Sequence, residues 1–305
     1  MKKALLLIIG TFVLFSCQKY PEYAGNFNKK IKIDGLQREY ILHLPFGYSQ
    51  NKEQKIPLLI ALHGGGGNPR NMMNESDFNK ISNKENFIVV YPAAYDNFWA
   101  DARDASKSSL NNIDDVNFIK ALVDTLSIHY NIDKNMIYVT GISNGGFMTQ
   151  TLLCALPDLF AGGASVIATL PENFRDSVPL NSVSSMLIVG TDDPLVPYEG
   201  GEMINPTSGG FIISAEETAK IWAKSNSCDT IPVKTDLPDI EDDETTITLY
   251  EYKNGQKPVQ LYVVNGGGHA WPGGSQYLPK SVIGKRSKDI NASEIIWEFF
   301  KNNPK

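Results

Sequence analysis

Apolar residues along this chain fall into two rhythms. Ile56 to Leu62 is nearly all apolar, and so are Phe87 to Tyr91, Met136 to Thr140, Gly162 to Ile167 and Met186 to Val189. Short unbroken runs of this kind predict strands covered on both faces. Between them, apolar positions recur at helical spacing over Asp115 to Ile128, Gly146 to Leu156, Ala215 to Lys224 and Ala292 to Lys301. Ser214 with Glu217 forms a capping-box pattern at the start of the third of these. Upstream, Lys30 to Asp34 and Arg38 to Pro45 alternate on either side of Gly35 and read as an opening hairpin. Thr246 to Tyr252 and Val259 to Val264 flank Asn254-Gly255 and predict a late one. Buried strands alternating with helices imply an α/β fold, with a mostly parallel central sheet and helices on both faces.

Composition sets the boundaries of this reading. The chain has 305 residues, 42% hydrophobic and 20% charged. That is enough for a large core, and one domain is expected over residues 30–305. Ahead of it, Lys2 and Lys3 precede an apolar run from Ala4 to Phe15 that ends at Ser16-Cys17. Residues 1–17 therefore read as an export signal, because the run is too short for a spanning helix, and residues 18–29 as a polar leader. Leu14-Phe15-Ser16-Cys17 resembles a bacterial lipobox, with Cys17 lipidated and the protein held to a membrane facing the periplasm or the outside; simple secretion is the other reading. The net charge of −6 and one short basic cluster, Lys285-Arg286-Ser287-Lys288, argue against nucleic acid as a partner. After export, Cys154 and Cys228 are equally open to a disulfide or to two free thiols, one of them a small buried hydrophobe. The acidic stretch Asp236 to Glu244 reads as a solvated loop, with a calcium site as the second reading. No dinucleotide fingerprint, P-loop or zinc-binding helix motif is present, so no cofactor and no metal are expected.

Candidate chemistry enters at Gly141-Ile142-Ser143-Asn144-Gly145, where a strand runs straight into a helix. A serine on that sharp turn is pushed out above the sheet edge, next to the free N–H groups of a helix start. Glycines at 141, 145 and 146 remove side chains that would clash there. A nucleophilic serine needs a base, a carboxylate to orient the base, and donors for the oxyanion. Of four histidines, His43 lies in an alternating strand and His129 on a helix. His63 precedes Gly64-Gly65-Gly66-Gly67, and His269 follows Gly266-Gly267-Gly268 on the loop after the late hairpin. The chain order serine, acid, histidine selects His269. Asp192 and Asp193 compete for the acid at the end of the strand Met186 to Val189; the extended conformation that Pro194 imposes gives Asp193 a slight preference. The four glycines after His63 open a loop whose N–H groups can approach a substrate carbonyl.

These segments resemble the secreted polyhydroxybutyrate depolymerase and feruloyl esterase group of α/β-hydrolases. The resemblance runs from about Tyr40 to Phe300 and rests on Leu62-His63-Gly64-Gly65-Gly66-Gly67-Asn68, Tyr91-Pro92, Asp114-Asp115-Val116, the Ser143 elbow, Gly190 to Tyr198, Gly268 to Gly274 and Ile296 to Phe300. It implies Ser143 as nucleophile, His269 as general base and then acid, and Asp193 as the orienting carboxylate. It also implies an oxyanion hole from the backbone N–H of Asn144 and one of Gly64 or Gly65. Family members carry a tryptophan near position 99 in the mouth of the site and an aspartate pair like Asp114-Asp115 behind it; the match around Trp99 and Arg103 is loose. Trp99 and Trp271 are thus either an aromatic wall for substrate or buried packing.

The expected activity is an exported serine carboxylic-ester hydrolase. Its substrates are feruloyl or acetyl esters of polysaccharide, or hydroxyalkanoate oligomers. An acyltransferase to a sugar hydroxyl, and an inactive membrane-tethered carbohydrate-binding protein, are the alternatives on the same fold. The segment Leu195 to Phe211, with four glycines, reads as a mobile rim of the pocket.

Overall fold

The computed structural model describes residues 23–48, 53–103, 111–180, 183–203 and 209–305. Residues 1–17, read as an export signal ending at Cys17, and the first part of the stretch read as a polar leader lie outside these residues. Among the described residues, ten strands form one sheet. In chain order these are β1 (Gly25–Ile33), β2 (Leu36–Leu44), β3 (Ile56–Leu62), β4 (Ile88–Pro92), β5 (Ile132–Ile142), β6 (Gly162–Val166), β7 (Ser184–Gly190), β10 (Val233–Asp236), β11 (Thr246–Tyr252) and β12 (Val259–Asn265). A separate two-stranded ribbon is made by β8 (Gly201–Met203) and β9 (Gly210–Ile212).

The sheet order is β1-β2-β4-β3-β5-β6-β7-β12-β11-β10. Its centre, from β4 to β12, is parallel, and antiparallel pairs close both ends. Among the described residues seven α-helices accompany the strands: α1 (Pro69–Ser76), α2 (Phe78–Glu85), α3 (Asp115–His129), α4 (Asn144–Ala155) and α5 (Ala215–Ser225) between strands, and α6 (Lys280–Ile283) and α7 (Ala292–Lys301) after the last strand. Alternation along the central strands splits the core in two. Leu58, Ile60 and Leu62 pack with α3, α4 and α5 on one face, while Leu59 and Ala61 pack with α1, α2 and α7 on the other. This is why the central strands read as continuous apolar runs: both faces are buried.

Several elements differ from the sequence reading, among them the short strands β8, β9 and β10, which it did not predict. β1 starts at Gly25, inside the stretch read as polar leader up to residue 29. It is an edge strand with every second residue more exposed, so its lysines and asparagines hide the pattern, yet Phe27 packs against the core and Asn26 accepts from His43 Nδ1 at 2.8 Å. α1 and α2, absent from the prediction, are mostly polar and sink few side chains, chiefly Met72 and Phe78. The signal for α1 was present nonetheless. Asn68 caps it by accepting from the N–H groups of Arg70 and Asn71, and Pro69 occupies the first helical position. Cys154 and Cys228 are both free thiols in the structure, which decides against the disulfide between them. Cys154 packs against the core, where burial pushes its thiol up to about 12, and the Cys228 thiol donates to Lys257 O at 3.3 Å.

Candidate active site

At the end of β5 the backbone turns sharply at Ser143, which has φ 55° and ψ −120°, outside the ordinary range for a residue with a side chain. Packing holds this strain in place. A Cβ on Gly141 would overlap the Gly145 carbonyl, one on Gly145 would come within 2.5 Å of Leu62 O, and one on Gly146 within 2.7 Å of Ala168 Cβ. The Ser143 N–H donates to Val166 O at 2.9 Å, and its carbonyl accepts the first bond of α4 from Phe147. β3, β6 and α4 therefore close around the turn, which fixes where the hydroxyl points.

The two other loops are fastened to each other before they meet the serine. Asp192 N–H donates to Gly267 O at 2.9 Å, Thr191 N–H to Val264 O at 3.0 Å, and Gly266 N–H to Thr191 Oγ1 at 2.8 Å. A side chain on Gly268 would strike the backbone of Ile283 and Gly284, so glycine is required for that approach. His269 N–H then donates to Ile283 O.

These fastenings bring Ser143, His269 and Asp193 into line. His269 Nδ1 lies 2.7 Å from Asp193 Oδ2, and Nε2 lies 2.9 Å from Ser143 Oγ. An ionised carboxylate only accepts, so Nδ1 carries the proton and Nε2 accepts from the serine hydroxyl. The second carboxylate oxygen of Asp193 accepts from the N–H groups of Leu195 and Val196 at 2.8 and 2.9 Å. Asp192, by contrast, is exposed and receives the Thr191 hydroxyl. Of the two adjacent aspartates, only the one before proline reaches the imidazole.

Asn144 is the first residue of α4, where a backbone N–H has no carbonyl four residues earlier to bond. Gly64 approaches Ser143 closely enough that an added Cβ would lie 3.6 Å from the serine Cβ, and Gly65 lies against Asn144 and Phe98. The glycine loop is closed by Gly67 N–H donating to Gly64 O at 3.0 Å. The Asn144 side chain is held from behind: it accepts from Trp99 N–H at 2.8 Å and donates to Asp101 at 2.5 Å. Asp101 in turn is paired with Arg103, both fully buried, and the guanidinium stacks over Phe147.

Neither tryptophan forms a substrate wall. Trp99 is fully buried, its indole N–H donating to His63 O at 2.9 Å, and Trp271 is buried against Phe78 with its N–H on Ser293 Oγ. Each had to find a hydrogen-bond partner inside the core, which turned it away from the site. The aromatic residues that do line the cleft are Phe98 and Tyr277, which the sequence reading did not single out. Phe98 adjoins Trp99 in the loosely matching segment, and Tyr277 follows His269 by eight residues. Asp114 caps α3 through Asn117 N–H. Buried Asp115 accepts from Arg38 at 2.6 Å and from Ala100 N–H at 2.8 Å, so it anchors the loop that carries Phe98.

The cleft above Ser143 has a volume of about 650 Å³. Besides the serine, His269 and the glycine loop, it is lined by residues of α1, by Leu195, Val196 and Met203, and by the stretch from Ser275 to Leu278. Part of the predicted rim, Leu195 to Phe211, is the β8-β9 ribbon, and residues 204–208 of it lie outside the described residues. Among the described residues, no group of three or more histidine, cysteine or carboxylate side chains is arranged to hold a metal ion. No helix among them is long and apolar enough to cross a membrane.

Comparison with known proteins gives a consistent picture. The model of the prolyl oligopeptidase family matches residues 99–171, a stretch that contains Ser143. The chain is 26% identical over 280 residues to a putative esterase, NocK, of Nocardia uniformis subsp. tsuyamanensis, covering 89% of this chain and 81% of that one. It is 26% identical to poly(3-hydroxyalkanoate) depolymerase C of Paucimonas lemoignei over 75% of this chain, and 27% identical to feruloyl esterase B of Piromyces equi over 76%. It spans only 58% and 42% of the lengths of those two relatives. Among solved structures, an acetyl xylan esterase from Aspergillus awamori superposes with a TM-score of 0.61 at 17% identity, over 90% of this chain and 99% of that one. Sheet order, elbow and relatives agree: this chain has the α/β-hydrolase fold and resembles the polyhydroxybutyrate depolymerase and feruloyl esterase group.

Proposed function

We propose that this chain, a carboxylic-ester hydrolase like its relatives, is an exported serine esterase that works through an acyl-enzyme. The observation that carries the reading is the continuous line of contacts from Asp193 through His269 to Ser143 at the floor of an open cleft. Ser143 Oγ attacks the ester carbonyl and passes its proton to His269 Nε2. The oxyanion that forms takes hydrogen bonds from the backbone N–H of Asn144 and from that of Gly64 or Gly65. Collapse expels the alcohol, which takes the proton back from His269, and leaves the acyl group on Ser143. A water molecule, deprotonated by His269, then attacks the acyl carbonyl; the acid leaves and Ser143 recovers its proton. Asp193 holds the imidazole in the tautomer this cycle needs and stabilises the imidazolium between steps.

The candidate substrates are feruloyl or acetyl esters of polysaccharide and short hydroxyalkanoate oligomers, since relatives named for both kinds align with this chain. Export and lipid anchoring at Cys17 complete the proposal, with the catalytic domain running from Gly25, the first residue of β1, onward. The deciding experiment compares initial rates of wild type and Ser143→Ala on methyl ferulate, an acetylated xylo-oligosaccharide, a hydroxybutyrate oligomer and p-nitrophenyl acetate. Turnover that disappears with Ser143 supports the reading. Turnover that survives the substitution refutes the nucleophile, and well-folded wild type inert on every ester refutes the esterase.

A further inference from the structure

The cleft has two chemically different sides. Phe98, Leu195, Val196 and Met203 make one side apolar. Along α1 and the loop after His269 the lining is mostly polar, Asn71, Asn74, Glu75, Ser275 and Tyr277, with Met72 and Leu278 among them. Glu75 is the one carboxylate that lines the cleft among the described residues.

In the esterase reading, on which this inference rests, His269 Nε2 returns the serine proton to the departing alcohol, so the alcohol half of the ester lies on the His269 side. The polar lining is tied to that side. Tyr277 Oη donates to His269 O at 3.1 Å. Ser275 N–H donates to Glu75 Oε1 at 3.2 Å, and the Ser275 hydroxyl donates to Oε2. Glu75 is only partly buried, and two donors leave a carboxylate with acceptor sites still open. The nearby cation, Arg286, donates to Gly274 O and is not among the residues lining the cleft.

We propose that this side is a subsite for a neutral, polyhydroxylated alcohol such as a sugar ring, and that Glu75 selects against alcohols bearing a carboxylate of their own. Sugar hydroxyls donate to Glu75 and exchange hydrogen bonds with Asn71 and Asn74, while the phenol ring of Tyr277, 45% exposed, offers an apolar face to ring C–H groups. A second carboxylate meets a like charge in a half-buried site open to solvent, where repulsion exceeds that in bulk water yet salt still reaches it. The alcohol released from a short hydroxyalkanoate oligomer ends in a carboxylate; the alcohol released from an acylated neutral glycoside does not. Glu75 therefore favours sugar esters over the oligomers.

The test uses three acetyl esters: 3-acetoxybutyrate, 3-acetoxybutyramide, which has the same shape but is neutral and donates hydrogen bonds, and an acetylated methyl xyloside. Acetate release is read as ratios of kcat/KM within each protein, so that any loss of folded enzyme cancels. Wild type should favour the amide over the carboxylate by about fivefold or more at low salt, a ratio that shrinks toward one as salt rises to about 0.5 M. It should favour the xyloside over both. Glu75→Gln should bring the amide-to-carboxylate ratio near one and reduce the preference for the xyloside. A ratio that neither salt nor Glu75→Gln changes overturns the inference while leaving the esterase standing. Failure of wild type to hydrolyse any of the three, or p-nitrophenyl acetate, overturns the esterase reading and this inference with it.

Discussion

Two glycine-rich loops carry a histidine at a strand end, one after β3 and one after β12, and in sequence they look alike. His63 and His269 are also buried to nearly the same degree, 1% and 3% exposed. Their partners are what separates them. His63 Nδ1 donates to Gly64 O at 2.8 Å, while Nε2 accepts from Ala94 N–H at 3.1 Å. Both ring nitrogens are used by backbone, and burial pushes the imidazole down to about 4, so it stays neutral and fixed. His269 is held between two side chains, a carboxylate and a hydroxyl. A proton can pass along that line, because the hydroxyl can give one up and the carboxylate stabilises the cation that results. Burial and a neighbouring glycine run are thus common to a structural and a proposed catalytic histidine; a side-chain partner that can release a proton is what separates them.

The comparison is broken most severely at the site. His269→Ala, like Ser143→Ala, should lower kcat by about 10⁴-fold or more while unfolding free energy stays within about 1 kcal/mol of wild type. Rate assays and urea titrations on the same preparations read both. Asp193→Asn should cost about 10³- to 10⁴-fold in kcat, since an amide can hold the ring in the wrong tautomer. The same change at Asp192 should leave kcat/KM within about twofold; equal losses at both positions would remove Asp193 from its assigned place.

His63→Ala should show the reverse signature. It leaves the Ala94 N–H buried without an acceptor and opens a void beside Trp99, so a destabilisation of about 2–4 kcal/mol is expected in denaturant. If the variant is as stable as wild type but inactive, the contrast between the two histidines fails.

A gentler probe is pH. His63 and His43 both have pKa values lowered to about 4 by burial, against 6.5 for the free side chain. Between these values the unfolded chain binds protons that the folded one refuses, so the stabilisation is complete above about pH 6.5 and is lost as pH falls toward 4. For His63 the loss amounts to at most about 3 kcal/mol. Melting temperature should fall over that window, and His63→Ala should flatten the slope without abolishing it, because His43 remains.

Much of the fold is legible because burial on two faces writes itself into local sequence. The runs at β3, β5 and β7 and the patterns of α3, α4, α5 and α7 are of this kind. The elbow is equally local: Gly141, Gly145 and Gly146 are needed within one turn, against Leu62 and Ala168 packed beside it. What sequence hides is polar or shared. α1, the source of Asn71, Asn74 and Glu75, buries too little to show a helical period, and the lysines and asparagines of β1 mask an edge strand.

The sequence by itself determined the layered α/β plan and the strained serine turn, because each is written in neighbours within a few positions; the choice of His269 came from the chain order serine, acid, histidine that the fold carries. Tertiary structure alone decided that Trp99 and Trp271 turn inward while Phe98 and Tyr277 line the cleft, and that Cys154 and Cys228 stay apart; it also puts Asp193, which the residues around it favoured only slightly, against the imidazole. The contacts of His269 with Asp193 and Ser143 join residues 76 and 126 positions distant. Such pairs are set by how the loops bond to one another once the sheet has formed, and no local pattern encodes them.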